Sequence, residues 1–148
     1  MYLLDTNIIS AASPIRRDDP NAQSLRRWLA AASGLLFMSS VTVAEIETRI
    51  AKARRTGATK KAQQLADWLE ITLHLFGERI LPLDLETARI TGRLFDQAVG
   101  RGGSPGFEDA AIAATALQAR LTVLTRNTRH FRLMDVAFLD PFEALPSL

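Results

Sequence analysis

Residues 1–7 read MYLLDTN, a short apolar run that ends on the carboxylate of Asp5, with Thr6 and Asn7 directly after it. Further short apolar runs alternate with helical patterns along the chain, which indicates a parallel sheet covered by helices on both faces. Such sheets bind their ligands at the carboxyl ends of the strands. A charge at the end of a buried strand therefore either caps the following helix or takes part in chemistry.

The pattern as a whole predicts an α/β fold with four to five short strands. The predicted strands lie at residues 3–4, 35–38, 80–83, 121–125 and 137–139, and the predicted helices at 8–12, 21–32, 39–55, 60–76, 84–99 and 107–119. Because Pro82 cannot donate to a ladder of hydrogen bonds, the strand that contains it should lie at the edge of the sheet. We expect loops at 16–20 and 100–106, and a turn at 127–131.

The composition limits the kinds of site that the chain can build. Its 148 residues fit a single domain, 1–148, and the absence of cysteine rules out disulfides and thiolate metal sites. With two histidines there is little room for zinc, so a metal should sit on oxygen ligands, which favours Mg²⁺ or Mn²⁺. We expect neither a signal peptide nor a membrane span, and hence a cytoplasmic protein.

Four polar residues fall at equivalent places in the predicted sheet. Asp5 ends the first strand, Glu45 lies in the first turns of the helix after the second strand, and Asn127 follows the fourth strand. Asp109 lies in the first turn of the helix that precedes this fourth strand. All four should therefore meet at the carboxyl edge of the sheet, where a catalytic site is expected.

Carboxylates that converge in this way repel one another unless a cation neutralises them. A hard divalent cation on oxygen ligands does so, and we expect Asp5 and Asp109 to bind it directly. Such an ion makes a bound water more acidic and stabilises charge on phosphoryl oxygens. The arrangement therefore suits the hydrolysis of phosphodiester bonds.

Each of these residues also has a simpler local explanation. Asp5 would cap the next helix, Glu45 would complete a capping box with Thr42, and Asp109 would favour a helix start. Asn127 is a common turn residue. Asp84 also follows a strand, and we interpret it as a cap alone. The site hypothesis rests on the combination.

Four stretches of the chain together resemble the PIN-domain nucleases, and more narrowly the VapC/FitB toxins of bacterial toxin–antitoxin modules. They are LDTN at 4–7, SVTVAE at 40–45, EDAAIAATA at 108–116 and TRNTRHF at 125–131. In order and spacing the resemblance covers the whole chain. It implies a three-layer α/β/α PIN-like fold, a Mg²⁺- or Mn²⁺-dependent endoribonuclease, a homodimer and a small antitoxin partner.

The resemblance also carries roles to individual residues. Asp5, Glu45 and Asp109 match the three core acids of the family, while Asn127 stands where many members have a fourth aspartate. The asparagine removes one acidic candidate ligand for a second metal ion, although its amide oxygen can still bind a metal or orient a water.

Three other features allow two interpretations. Six basic residues form what we call the basic corner: Arg49, Lys52, Arg54, Arg55, Lys60 and Lys61. We expect these cations to be solvated rather than to contact RNA, because no aromatic residues interleave with them. Arg126, Arg129 and Arg132 are better phosphate candidates. We interpret His130 as a turn residue rather than a general base, because nothing in the sequence assigns it a partner. The apolar stripe of the 60–76 helix, widened by Trp68, indicates either a partner surface or a helix buried on two sides.

Two other functions compete with the ribonuclease. A magnesium-dependent phosphatase of the haloacid-dehalogenase type also has an aspartate at the end of its first strand, but Asn7 stands where its second aspartate belongs. A catalytically weak PIN-like binding module would have lost a core acid, and none is lost here.

Overall fold

The structure is a computed structural model that describes residues 1–13, 15 and 20–148. The strands are β1 (Tyr2–Leu4), β2 (Leu36–Ser39), β3 (Ile80–Leu81), β4 (Thr122–Leu124) and β5 (Phe138–Leu139). The helices are α1 (Thr6–Ala12), α2 (Pro20–Ala31), α3 (Ser40–Arg55), α4 (Thr59–Phe76), α5 (Leu85–Gly100), α6 (Phe107–Ala119) and α7 (Thr128–Arg132). Residues 16–19 of the predicted loop lie outside the described residues.

All five strands are parallel and lie in the order β3-β2-β1-β4-β5. The central strand β1 aligns Leu3 with Phe37 of β2 on one side and with Val123 of β4 on the other. As Pro82 predicts, β3 is an edge strand, and it ends one residue before the proline. The central position of β1 brings the end of this strand, and Asp5 after it, to the middle of the carboxyl edge.

Helices cover both faces of the sheet and give the predicted three layers. On one face Leu3 and Val123 pack in a buried cluster with residues of α5, α6 and α7. On the other face Leu4 and Leu124 pack with residues of α1 to α4. Successive side chains of a strand point to opposite faces, so an uninterrupted apolar strand supplies both clusters.

The structure corrects the prediction for the segment after β4. We expected a turn at 127–131, but Thr128–Arg132 forms the short helix α7. Phe131 is fully buried in the same cluster as Leu3, so tertiary packing holds these five residues helical. A helix of this length shows too few turns to reveal an apolar period in the sequence.

The helix α4 carries an apolar surface that the fold leaves uncovered. Ile71 and Leu75 are 60% and 65% exposed, whereas Leu69 on the same helix is 1% exposed. The described chain therefore does not bury α4 on two sides, which was one of the two interpretations. Of the helices in the described ranges, none combines the length and the apolar character that a membrane span requires.

Candidate active site

The four predicted site residues lie at the carboxyl edge of the sheet. Asp5 follows β1 directly and is 4% exposed, and Asn127 lies shortly after the end of β4. Glu45 stands in the second turn of α3, which leaves β2 at this edge. Asp109 stands in the first turn of α6, a helix that runs from this edge back to the start of β4. The chain thus brings three carboxyl groups and one amide together.

Tertiary hydrogen bonds hold the carboxylate of Asp5. The hydroxyl of Thr125 and the amide of Asn7 both donate to its Oδ2, each at 2.6 Å. Asn7 is itself fixed, because its Oδ1 accepts from the backbone N–H of Arg126 at 3.2 Å. Asp5 occupies the N-cap position of α1, but its side chain makes no cap hydrogen bond. The simple capping explanation for Asp5 is therefore wrong.

Glu45 likewise contacts another element rather than its own helix start. The hydroxyl of Thr6 donates to Oε2 of Glu45 and lies 3.1 Å from the hydroxyl of Thr42. The N-cap of α3 is Ser39, whose side chain accepts from the N–H of Val41 at 3.2 Å. The capping box of Thr42 and Glu45 is therefore not formed, because Thr42 lies one turn too late and faces α1.

Asp109 has one local and one tertiary contact. Its Oδ2 accepts from the N–H of Gly106 at 3.2 Å, so the side chain does close the first turn of α6. The same oxygen lies 2.6 Å from Nδ1 of His130, and the amide nitrogen of Asn127 lies 2.8 Å from that ring nitrogen. The tautomer of His130 decides which of these two ring contacts is the hydrogen bond.

The interpretation of His130 as a turn residue is therefore wrong, because it lies in α7 and has contacts with Asn127 and Asp109. Its side chain is largely buried on α7 and joins Asn127 to Asp109, which belongs to a different element. No local sequence pattern indicates this contact, because His130 and Asp109 are 21 residues apart. In the tautomer that carries the proton on Nδ1, His130 donates to Asp109 and orients its carboxylate.

The acids of the site influence one another electrostatically. Burial raises the pKa of Asp5 from its ordinary value of 3.8 to about 6, and the charges of Asp109 and Glu45 add to the rise, while the hydrogen bond from Thr125 opposes it. Burial also raises the pKa of Glu45, and the charges of Glu108 and Asp109 add to this rise. A positive charge placed among these carboxylates would relieve the repulsion.

The donor set fits a hard divalent cation that keeps part of its water shell. Among residues 1–13, 15 and 20–148, no three acidic or histidine side chains lie close enough to form a complete set of protein ligands. Mg²⁺ requires less, because it usually binds one or two carboxylates and retains several waters. Asp5 and Asp109 offer carboxylate oxygens of this kind, and the charge of Asp109 contributes to the raised pKa of Asp5.

Three other charged side chains that follow the strands, those of Asp84, Arg126 and Arg129, take no part in the hydrogen bonds that the described residues form at the candidate site. Asp84 caps α5, as predicted, by accepting from the N–H of Thr87 at 2.8 Å. Arg126 places its guanidinium carbon 4.5 Å from the ring centre of Phe142, and Arg129 is exposed on α7. Asp84 thus shows what a purely structural aspartate after a strand looks like in this fold.

Comparison with known proteins places these residues in context. A family model described as "PIN domain" matches residues 2–137. The chain is 38% identical over 144 residues to "Toxin FitB" of Neisseria gonorrhoeae, covering 96% of this chain and 99% of that protein. It is 33% identical over 144 residues to "VapC ribonuclease Y4jK" of Sinorhizobium fredii, covering 97% and 99%. The crystal structure of FitAcB from N. gonorrhoeae superposes with a TM-score of 0.80 at 38% identity, covering 96% and 99%.

Proposed function

The chain belongs to the PIN-domain family, and on that premise we propose that it is a metal-dependent endoribonuclease acting as the toxin of a toxin–antitoxin pair. One observation carries the proposal: Asp5, Glu45 and Asp109 converge at the carboxyl edge, where two of them have raised pKa values. Two similar proteins bear the names of a toxin and of a ribonuclease. Nucleases of this family use divalent metal ions.

Asp5 and Asp109 would hold the cation, Mg²⁺ or Mn²⁺, through their carboxylate oxygens. When bound, the ion supplies an acidified water and stabilises negative charge on the phosphoryl oxygens. Thr125 and Asn7 fix the direction of the Asp5 carboxylate, and His130 does the same for Asp109. Partners of this kind keep ligating groups in the orientation that binding requires.

Glu45 is the proposed general base of the reaction. Its Oε2 is held by the hydroxyl of Thr6, and burial raises its pKa above the ordinary value of 4.5. A raised pKa makes a carboxylate a stronger base than one with an ordinary pKa. In this proposal the carboxylate of Glu45 takes the proton from the attacking water. Asn127, through its amide oxygen, orients the water or contributes a further ligand.

The activity test measures cleavage of a synthetic single-stranded RNA by wild type, Asp109→Asn and Asp84→Asn. With Mg²⁺ or Mn²⁺ we expect wild type and Asp84→Asn to cleave, and Asp109→Asn and every chelator-treated sample to be inactive. Asp84 is the matched control, because it also follows a strand but only caps α5. RNA binding without cleavage by pure wild type would instead favour the catalytically weak binding module.

A second test detects metal binding without an activity assay. An ion that binds only the folded state raises the melting temperature by mass action, by an amount that grows with its concentration. We expect Mg²⁺ and Mn²⁺ to stabilise wild type and Asp84→Asn, and to have little effect on Asp5→Asn. Equal responses of all three proteins would place the ion elsewhere.

The proposed partners follow from the same assignment. We expect a cytoplasmic protein that acts on RNA, forms a homodimer and is silenced by a small antitoxin. The apolar surface formed by Ile71 and Leu75 on α4 supports a protein contact, because both side chains are mostly exposed, whereas Trp68 on the same helix lines a cleft. We assign this face to the dimer.

A further inference from the structure

A cleft between α1, α3 and α4 contains three of the six cations of the basic corner, which are expected from the sequence to be solvated. Its volume is about 440 Å³. We call it the basic cleft, and the residues on which the argument depends are Ser10, Arg49, Lys52, Thr56, Lys61 and Trp68. Arg54, Arg55 and Lys60 belong to the same corner of the sequence but do not line it. The fold thus divides the corner into two sets of cations.

Among the residues that the structure describes, the charges of the basic cleft all have one sign. Three cations and several hydroxyl groups of these residues line it, and no acidic side chain does. Within the part of the chain that the structure describes, Lys52 and Lys61 form no ion pair. Arg49 donates to the hydroxyl of Ser10 at 2.5 Å, which leaves most of its five donors available. Like charges facing one cleft repel, and an anion bound between them removes the repulsion.

The basic cleft lies about one helical turn from the candidate active site along α1 and α3. Thr6 contacts Glu45, and Ser10 contacts Arg49. Each contact joins α1 to α3, and the second lies four residues further along both helices. Four residues are about one helical turn, a rise of about 5.4 Å. A bound strand that passes from the acidic site to the basic cleft therefore has only one helical turn to cross.

The cleft also has an apolar wall that includes an aromatic ring. Ile46, Ala53 and Leu65 line it together with Trp68, which is partly exposed. From the sequence alone RNA contact is not expected here, because no aromatic residue interleaves with the basic ones. In the fold, however, Trp68 of α4 stands in the same cleft as Arg49 and Lys52 of α3. Cations beside a stacking ring are the combination that binds single-stranded nucleic acid.

We propose that the basic cleft binds the RNA strand next to the bond that is cleaved. Lys52, Lys61 and Arg49 contact its phosphates, and Trp68 stacks on a base. The inference rests on the proposed ribonuclease function and adds the place where the substrate backbone is held. Contacts of this kind fix the strand without reading its sequence.

The test measures binding of a fluorescent oligouridine RNA by anisotropy, in the full chain carrying Asp5→Asn so that the RNA stays intact. The variants are Lys52→Ala/Lys61→Ala and the matched control Arg55→Ala/Lys60→Ala, which removes the same charge from the same corner outside the cleft. Kd is followed between about 50 and about 200 mM salt. Circular dichroism verifies that each variant is folded.

Each phosphate contact on a single strand contributes about 0.7 to the slope of log K against log salt. We therefore expect the Lys52/Lys61 pair to lower the slope by about 1.4, and the Arg55/Lys60 pair to leave it nearly unchanged. Trp68→Leu should raise Kd by about fivefold or more with the slope intact, because it removes stacking and no charge. Equal slope changes in both pairs would mean that only net charge matters, and would overturn the assignment.

Two further outcomes separate this inference from the proposed function. RNA cleavage by wild type, together with an unchanged slope in the Lys52/Lys61 variant, overturns the cleft assignment alone. If wild type neither cleaves nor binds RNA, the proposed function fails and this inference fails with it. A polyglutamate peptide is measured in parallel. If that peptide, and not the RNA, depends on Lys52 and Lys61, the cleft belongs to an acidic protein segment and the proposal is overturned.

Discussion

Replacing Asp5 by asparagine is expected to stabilise the metal-free protein at neutral pH while destroying its proposed site. Asparagine has nearly the same shape, and its carbonyl oxygen can still accept from Thr125 or Asn7, both of which donate to Asp5 Oδ2. What the substitution removes is the charge, in a side chain that is 4% exposed and close to two other acids. Active sites commonly reduce the stability of a fold in this way.

The size and sign of the effect follow from the pKa of Asp5. It is raised from 3.8 to about 6 in the folded protein, chiefly by burial. At about 1.36 kcal/mol per pKa unit, this corresponds to about 3 kcal/mol. Because the folded protein binds the proton more tightly, its stability is greatest below the unfolded pKa and falls as the pH rises through about 6. The gain from Asp5→Asn should therefore be small near pH 4 and reach about 3 kcal/mol above pH 7.

The assay is urea unfolding followed by circular dichroism across this pH range, with a chelator present. Asp84→Asn is the control, since the hydrogen bond from the N–H of Thr87 lowers the pKa of Asp84. A lowered pKa gives stability that is present above the unfolded pKa and lost on acidification, so this variant should show no gain at neutral pH. An Asp5→Asn variant less stable than wild type at about pH 7, or with a gain independent of pH, would refute the reasoning.

Three further predictions concern the remaining residues. Asn127→Asp should keep or strengthen metal binding, which calorimetric titration checks. Asn127→Ala should lower the cleavage rate less than Asp5→Ala does. An alanine variant as inactive as Asp5→Ala would assign Asn127 a larger role. His130→Ala should weaken Mn²⁺ binding by about tenfold or more, because Asp109 loses the partner that orients it; unchanged affinity in calorimetry would make the contact purely structural. Leu75→Glu should dissociate the proposed dimer in sedimentation experiments, because it places a charge on the exposed apolar face of α4; a folded variant that remains dimeric would place the interface elsewhere.

Much of the architecture can be predicted because it follows from the chain pattern alone. Apolar strands that alternate with helices must be parallel, so residues that follow Leu4 and Leu124 meet at one edge. The position of Pro82 correctly predicts an edge strand, and the resemblance to PIN-domain nucleases is confirmed. These features depend on periodicity and on residue types whose backbone chemistry is fixed.

What the sequence cannot supply is the set of partners chosen by tertiary contact. Thr42 satisfies the local rule for a capping box with Glu45, yet Ser39 caps the helix and Thr42 is buried against Thr6. His130 is part of a segment too short to show a period, and its contact with Asp109 depends on how α7 packs against α6. Local rules rank the candidates, whereas packing decides among them.

The central position of β1 has a consequence for the order in which a growing chain assembles the candidate site. β1 pairs Tyr2 with Thr122 and Leu4 with Leu124, and the carboxylate after it is held by Thr125. Contacts between residues so far apart in sequence are slow to form, because a long loop must close before they contribute. Until residues 122–125 have been synthesised, β1 lacks one of its two neighbours and Asp5 lacks Thr125. A nascent chain that ends before β4 therefore cannot hold Asp5 in the arrangement that the proposed chemistry requires.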